Sequence, residues 1–253
     1  MKNRAAAVLL AVLAVPVSAA APRRPPAPAA HPRVAVILDD FGLTYKANPP
    51  DEVWMKLDEP LTFAVMPESP LTRQAARATL AAGKQLIIHY PFDPFQRLKL
   101  PKDRVAPADV ASVRRLLEKS RKEIPGAVGL NNHRSYRATM NRPLMDAFMK
   151  LLKPTGLYFV DARVSAHTVA YAAARAAGIP SAENYMFLDT AQVHTKAFCE
   201  KHLAEAVALA RRRGSAVVIG HHYFHGTFDC LKEAMPRYAA QGVLFVHASE
   251  VVR

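Results

Sequence analysis

The sequence predicts an α/β fold, a distorted or incomplete (β/α) barrel, and three observations carry that prediction. One grammar recurs along the chain: an Ala-rich or Leu-rich amphipathic run, a glycine, a short apolar run, then polar residues. The apolar runs are continuous rather than alternating, as in strands covered on both faces. The unusual polar residues all follow a strand rather than precede it. In a barrel they gather on one rim, the end at which sites are built.

Taken in order, RVAVIL runs up to Asp39 and LTFAV up to Met66. ARATLAAG leads into KQLIIH, ending at His89, and AVGL runs up to Asn131. MDAFMKLLKPTG leads into LYFVD, ending at Asp161, and YAAARAAG leads to MFLD, ending at Asp189. AVALARRRG leads into SAVVIGHH with His221, and MPRYAAQG into VLFVHASE. These are eight candidate strands, most of them separated by helices. Gly83, Gly156, Gly178, Gly214 and Gly242 fall where a helix ends in a left-handed residue. An open doubly wound sheet is the rival architecture, but neither G-x-G-x-x-G nor G-x-x-x-x-G-K-[ST] accompanies it.

The chain of 253 residues fits one domain, two at most, and its 51% hydrophobic and 22% charged residues exclude a disordered chain, a collagen-like repeat and a polytopic membrane protein. Residues 1–20 carry Lys2 and Arg4, an apolar run from Ala5 to Val17 and a small-residue end. They read as a secretory signal peptide cleaved near Ala20, an uncleaved anchor being the other reading. Residues 21–32 (APRRPPAPAAHP) read as an extended, solvated linker, which leaves a domain at 33–253 with no stable membrane span after cleavage. The expected location is periplasmic or secreted.

Loss of Lys2 and Arg4 takes the formal charge from +13 to +11. In an exported protein such a balance suits anionic envelope polymers, a membrane surface or a solvated surface with no partner. No aromatic-interleaved basic patch points to nucleic acid. Cys199 and Cys230 form one disulfide if their helices pack together, which spacing alone does not decide, and no C-x-x-C supports a thiolate zinc site. Helical faces rich in Ala and Arg show no clear dimer seam, so no oligomeric state is assigned.

The rim inventory is that of a metal hydrolase: Asp39, Asp40, Met66 to Ser69, His89, Asn131 to His133, Asp161 to Ser165, Asp189, His221 and His222. Asp39 and Asp40 stand in ILDDFG, where strand alternation sends neighbouring side chains in different directions and Gly42 lets the backbone turn. Asp40, His89 and His133 supply one carboxylate and two imidazoles, the ligand set of an open catalytic zinc site. Asn131 and Asn132 suit roles behind the ligands, an oxyanion role or plain turn geometry. Of His221 and His222, one faces the rim and the other packs outside it; His221 is the candidate general acid. Asp161 and Arg163 are either a plain ion pair or a dyad that orients and charges a catalytic group. His31, His167, His194, His202, His225 and His247 have no convergent context. With no G-x-S-x-G elbow and no cysteine at a strand end, water activated by a metal is the chemistry that remains.

The motifs ILDDFG, LTFAVMPESP, HYPF, GLNNHRS, FVDARVS, MFLD and VVIGHHY, in that order from about Val34 to Val252, resemble the divergent polysaccharide deacetylase family. That family is related to NodB-type carbohydrate esterases, whose fold is a distorted (β/α) barrel. The resemblance implies a metal-dependent hydrolase, zinc or another divalent transition metal, that removes N-acetyl groups from an envelope polysaccharide. It carries a catalytic-base Asp onto Asp39, a metal-binding Asp onto Asp40 and the acid onto His221. One departure concerns H-x-x-x-H, because His89 is followed four residues later by Asp93, and His133 is the candidate replacement ligand. Two others are NNHRSY and GHHY, where family members commonly read NNHMGS and GHPY. The competing expectation is a non-catalytic envelope barrel that binds glycan or protein through a degenerate site. A metal-dependent amidase acting on another N-acyl group is a third.

Overall fold

The structure is a computed structural model and describes residues 31–44, 49–92, 98–101 and 104–253. The signal peptide and nearly all of the linker expected from the sequence, together with Asp93, lie outside the described residues.

The chain alternates strands and helices as the glycine-punctuated grammar predicts. Its elements are β1 (Arg33–Phe41), α1 (Asp51–Met55), β2 (Thr62–Val65), α2 (Thr72–Ala81), β3 (Gln85–Tyr90), α3 (Pro107–Glu123), β4 (Gly129–Asn132), α4 (Tyr136–Met140), α5 (Arg142–Leu152) and β5 (Tyr158–Asp161). They continue with α6 (Ala170–Ala176), β6 (Ser181–Glu183), β7 (Met186–Phe187), α7 (Lys196–Arg213), β8 (Ser215–His221), α8 (His225–Ala239) and β9 (Leu244–Val246). All five expected glycine stops have positive φ, and Gly214 at +89° ends α7 while its N–H donates to the Ala210 carbonyl.

All the strands are parallel and run in the order β6-β5-β4-β3-β2-β1-β8-β7, with β9 pairing the start of β1. The sheet curls into a barrel left open between β6 and β7. Those two short strands are parts of one segment, which pairs with β5 by its first residues and with β8 by its last. β6 was not anticipated from the sequence. Its residues Ser181, Ala182 and Glu183 form no apolar run, and what holds them is position, with β5 on one side and the backbone of Arg253 exchanging two hydrogen bonds with Ser181.

Two layers of apolar side chains follow from strand alternation. Val34, Val36, Leu38, Phe63, Leu86, Ile88 and Phe159 point outward and pack against the helices, in a cluster with Phe148, Leu203 and Met235. Ala35, Ile37, Ala64, Ile87, Val160, Val217 and Ile219 point inward and fill the barrel. Residues of this inward set continue upward to the rim, which is what delivers Asp39, His89, Asn131 and His221 to one place. Cys199 of α7 and Cys230 of α8 are bonded, their Cα atoms 6.1 Å apart, which settles the pairing the spacing left open. A bridge over 31 residues stabilises by about 3–4 kcal/mol in the loop-entropy account. No helix among the described residues is long and apolar enough to cross a membrane.

Candidate active site

Asp39 lies on β1 opposite His221 of β8, so the candidate base and acid are brought side by side by the register of two adjacent strands. Asp40 departs from the expected alternation. Its φ is +73°, and the β1–β2 register is broken between Leu38 and Phe41. This irregularity turns Asp40 back over the rim instead of sending it outward, so both carboxylates face His89, at 3.6 Å from Asp39 and 3.2 Å from Asp40. A left-handed, non-glycine residue at such a place is backbone strain maintained by its surroundings.

Three potential ligand atoms form a small triangle. Asp40 Oδ1 is 3.0 Å from His133 Nδ1 and 3.2 Å from His89 Nε2, and the two ring nitrogens are 2.9 Å apart. Atoms bound tetrahedrally to one zinc at about 2.0–2.1 Å stand about 3.3 Å from one another. All three residues are buried, and despite the short distances Asp40 Oδ1 finds no well-aligned hydrogen bond. Converging donor atoms of this kind fit a divalent cation better than they fit each other. The fold thus brings together the three residues that the sequence offered as candidate ligands.

Asn131 orders the site from behind. Its Nδ2 donates to Asp39 Oδ1 at 2.7 Å, and its Oδ1 lies 2.8 Å from His89 Nδ1, which assigns the Nδ1 proton of His89 and leaves Nε2 facing the triangle. The oxyanion alternative for Asn131 and Asn132 is not what the fold produces. The Asn131 amide is engaged by Asp39 and His89, and Asn132 points to the other face of β4, where its Oδ1 accepts from the Ala162 N–H and its Nδ2 donates to the Arg134 carbonyl.

The neighbouring aspartates are separated by their partners. Burial raises the Asp39 carboxyl above the usual range against the pull of His89 and His221. Asp40 is buried too, but the His133 and His89 rings hold it well below that range. One carboxyl is thereby suited to taking up a proton and its neighbour to staying an anion. Burial lowers His133 and favours its neutral ring. Burial also works against the His89 cation, but Asp39 and Asp40 outweigh it and raise His89, so a metal entering here displaces that proton.

On the other flank His221 is oriented by Asp189, not by the pair assigned from the sequence. His221 Nδ1–H donates to Asp189 Oδ1 at 2.5 Å, its backbone N–H donates to Asp189 Oδ2 at 2.9 Å, and Thr227 donates to the same Oδ2 at 2.6 Å. Gly220 permits this approach, since a Cβ there would stand 3.0 Å from Thr227 and 3.2 Å from Asp189. Burial disfavours the His221 cation, but the Asp189 hydrogen bond and charge, backed by Asp40 and Asp39, overcome it and raise the ring to about 9.

The expected Asp161–Arg163 dyad does not form. Val160 points into the barrel, so Asp161 points out, where it accepts from the Arg163 and Tyr171 backbone N–H groups and from Thr168. The Arg163 guanidinium instead meets Glu183 at 3.0 Å. His222 likewise faces outward, 3.2 Å from Asp51, and its carbonyl accepts from the Trp54 indole. Asp189 was on the rim inventory but received no role. The signal that could have found it is its position at a strand exit next to that of His221.

Among solved structures, the chain is similar to the Agrobacterium tumefaciens C58 protein ATU2773, with a TM-score of 0.77, 20% identity, and coverage of 90% of this chain and 92% of that one. The catalytic domain of a peptidoglycan N-acetylglucosamine deacetylase from Eubacterium rectale shares the fold at a TM-score of 0.59 and 11% identity, over 87% and 91% of the two chains. The uncharacterized Escherichia coli protein YibQ is 31% identical over 190 residues, which are 75% of this chain and 58% of YibQ. The sequence profile of the divergent polysaccharide deacetylases matches residues 36–252, essentially the whole of the folded domain, and the chain belongs to that family.

Proposed function

We propose that the protein is a metal-dependent hydrolase that removes N-acetyl groups from an envelope polysaccharide, exported by its N-terminal segment and acting in the periplasm or outside the cell. The observation that carries this reading is the convergence of Asp40, His89 and His133 on one point, with the buried Asp39 beside it and His221 next to Asp39 on the adjoining strand. Those three residues would hold the metal, with zinc the expected ion. A zinc ion bound there supplies Lewis-acid polarisation of the acetamide carbonyl and lowers the pKa of a bound water towards about 7.

The chain's own groups account for the protons. Asp39, raised by burial and steadied by Asn131, takes the proton of the attacking water as the new C–O bond forms. His221, kept protonated by Asp189, gives its proton to the amine nitrogen as the C–N bond breaks. The products are acetate and a free amino sugar. Asn131 holds the base and one ligand in a single orientation, so little rearrangement is needed on reaction.

The test is Asp39→Asn. Zinc measured by mass spectrometry is expected to stay near stoichiometric while acetate release falls by about 100-fold to 10,000-fold, the range for losing a general base. A fully active variant would sink the assignment.

A further inference from the structure

We propose that Thr227 of α8 is a positioning residue for His221, its hydroxyl holding the Asp189 carboxylate in the one rotation at which Oδ1 receives the ring's Nδ1–H. This rests on the acid role given to His221 above. Asp189 accepts three hydrogen bonds, and two of them come from His221 itself, the ring on Oδ1 at 2.5 Å and the backbone N–H on Oδ2 at 2.9 Å. Those two bonds alone would let carboxylate and ring turn together. The third donor belongs to another element: Thr227 Oγ1 lies 2.6 Å from Oδ2 and ties the carboxylate to α8.

A carboxylate only accepts, so the hydroxyl is the donor and its single proton is committed to this bond. A threonine in a helix has an alternative, the carbonyl four residues back, and the buried Thr79 of α2 and Thr139 of α4 both take it. Thr227 gives its proton across to Asp189 instead. Two glycines bring it there. A Cβ on Gly220 would stand 3.0 Å from the Thr227 methyl and 3.2 Å from Asp189 Oδ2, and one on Gly226 would stand 2.7 Å from the Lys196 nitrogen. The first lets α8 close on β8, and the second lets the first turn of α8 close on the segment that follows Asp189.

Thr227 and Asp189 are both buried, so solvent offers no replacement donor. The titratable groups around the His221 ring are Asp39 and Asp40 of β1, Asp189, and Tyr223 in the turn before α8, while Phe187 and Phe224 add uncharged faces. His222, next in the chain, turns away to Asp51. Replacing Thr227 leaves all of these groups present and changes what holds Asp189.

The experiment compares the wild type with Thr227→Val and Thr227→Ala, which remove the hydroxyl with and without keeping the shape, and with Thr227→Ser, which retains it. Each full chain, loaded with zinc, is assayed across pH by acetate release from β-1,4-linked N-acetylglucosamine hexasaccharide. The His221 ring is followed by nitrogen-15 NMR, its signals identified by their loss in His221→Gln. Thr227→Val and Thr227→Ala are each expected to lower kcat about tenfold at unchanged KM. The alkaline limb and the titration of the ring should both move down by about one pH unit, with Thr227→Ser near the wild type. A fall in Tm or in kcat with limb and ring titration in place marks a structural role and overturns the proposal. A limb that moves to higher pH overturns it too, since Thr227 would then only weaken the Asp189 charge. If no saccharide yields acetate, the hydrolysis proposal fails and NMR alone decides Thr227. A ring that titrates lower without the hydroxyl and normally in Thr227→Ser upholds the positioning role, and an unchanged or raised titration overturns it.

Discussion

The two flanks of the rim solve different electrostatic problems. On the β1–β3–β4 side, Asp39, Asp40, His89 and His133 are all buried, and their potential ligand atoms face one another at about the spacing a shared cation needs. On the β7–β8 side, the His221 side chain is 21% exposed and is hydrogen-bonded to one buried carboxylate, Asp189. Converging lone pairs favour a positive charge among them, which the raised His89 ring supplies in the chain alone and which a metal would supply in the reading proposed above. In the mechanism proposed above the donor regains its proton from solvent each turnover, and the flank that holds His221 is partly open and carries a counter-charge in Asp189. The difference teaches that burial serves different ends here: it gathers ligand atoms on one flank, and on the other it places one carboxylate where it controls the protonation of a ring.

The sharpest way to break the comparison is to remove a ligand from the closed flank. His133→Ala is expected to weaken zinc binding by more than the roughly 10–100-fold typical of losing a residue behind the ligands, with acetate release lost in parallel. It should also abolish the rise in Tm that added zinc gives the wild type. Retention of stoichiometric zinc in this variant would remove His133 from the metal site.

On the open flank, Asp189→Asn is expected to act on protonation, leaving zinc content intact and lowering turnover by about 10-fold to 100-fold. In the wild type His221 is a cation up to about 9, so the rate falls on the alkaline side near that pH. Without the Asp189 charge the ring titrates lower, and the alkaline limb of the pH–rate profile moves to lower pH. The linked stability has the same sign. The folded ring is raised from 6.5 to about 9, so its contribution is complete below 6.5 and is lost as pH rises through about 9. An alkaline limb that stays in place in the variant would detach Asp189 from the acid.

The smallest effect on chemistry is expected at Asp161→Ala, which tests whether the outward carboxylate belongs to either flank. It removes the acceptor shared by the Arg163 and Tyr171 N–H groups and Thr168, at a cost of about 1–3 kcal/mol. Thermal unfolding should come a few degrees earlier, while the pH–rate profile of the folded enzyme keeps its shape. A shifted alkaline limb would restore Asp161 to the catalytic group.

Much of this could be read in the chain because its signals are local. Eight of the strands, the five glycine stops and the rim position of Asp39, His89, Asn131, His133 and His221 follow from apolar runs and the residues that end them. The parity of β5 was also legible: Val160 points inward, so Asp161 cannot, and counting in twos corrects the dyad assigned to Asp161 and Arg163. β6 was not legible, because three residues without an apolar pattern become a strand only when a neighbour and the returning C-terminal backbone offer partners.

The sequence by itself determined the barrel class and the chemical types gathered on the rim, since period, composition and order along the chain are enough for those, while the family resemblance rested on its seven ordered motifs. Only the tertiary structure decided that Asp40 turns back over the rim at φ +73°, that Asp189 rather than Asp161 serves His221, that Cys199 meets Cys230, and that the barrel opens between β6 and β7. Each of these depends on which distant segment lies alongside. Strand exits and side-chain partners are selected by packing across the sheet, and no local rule carries that information.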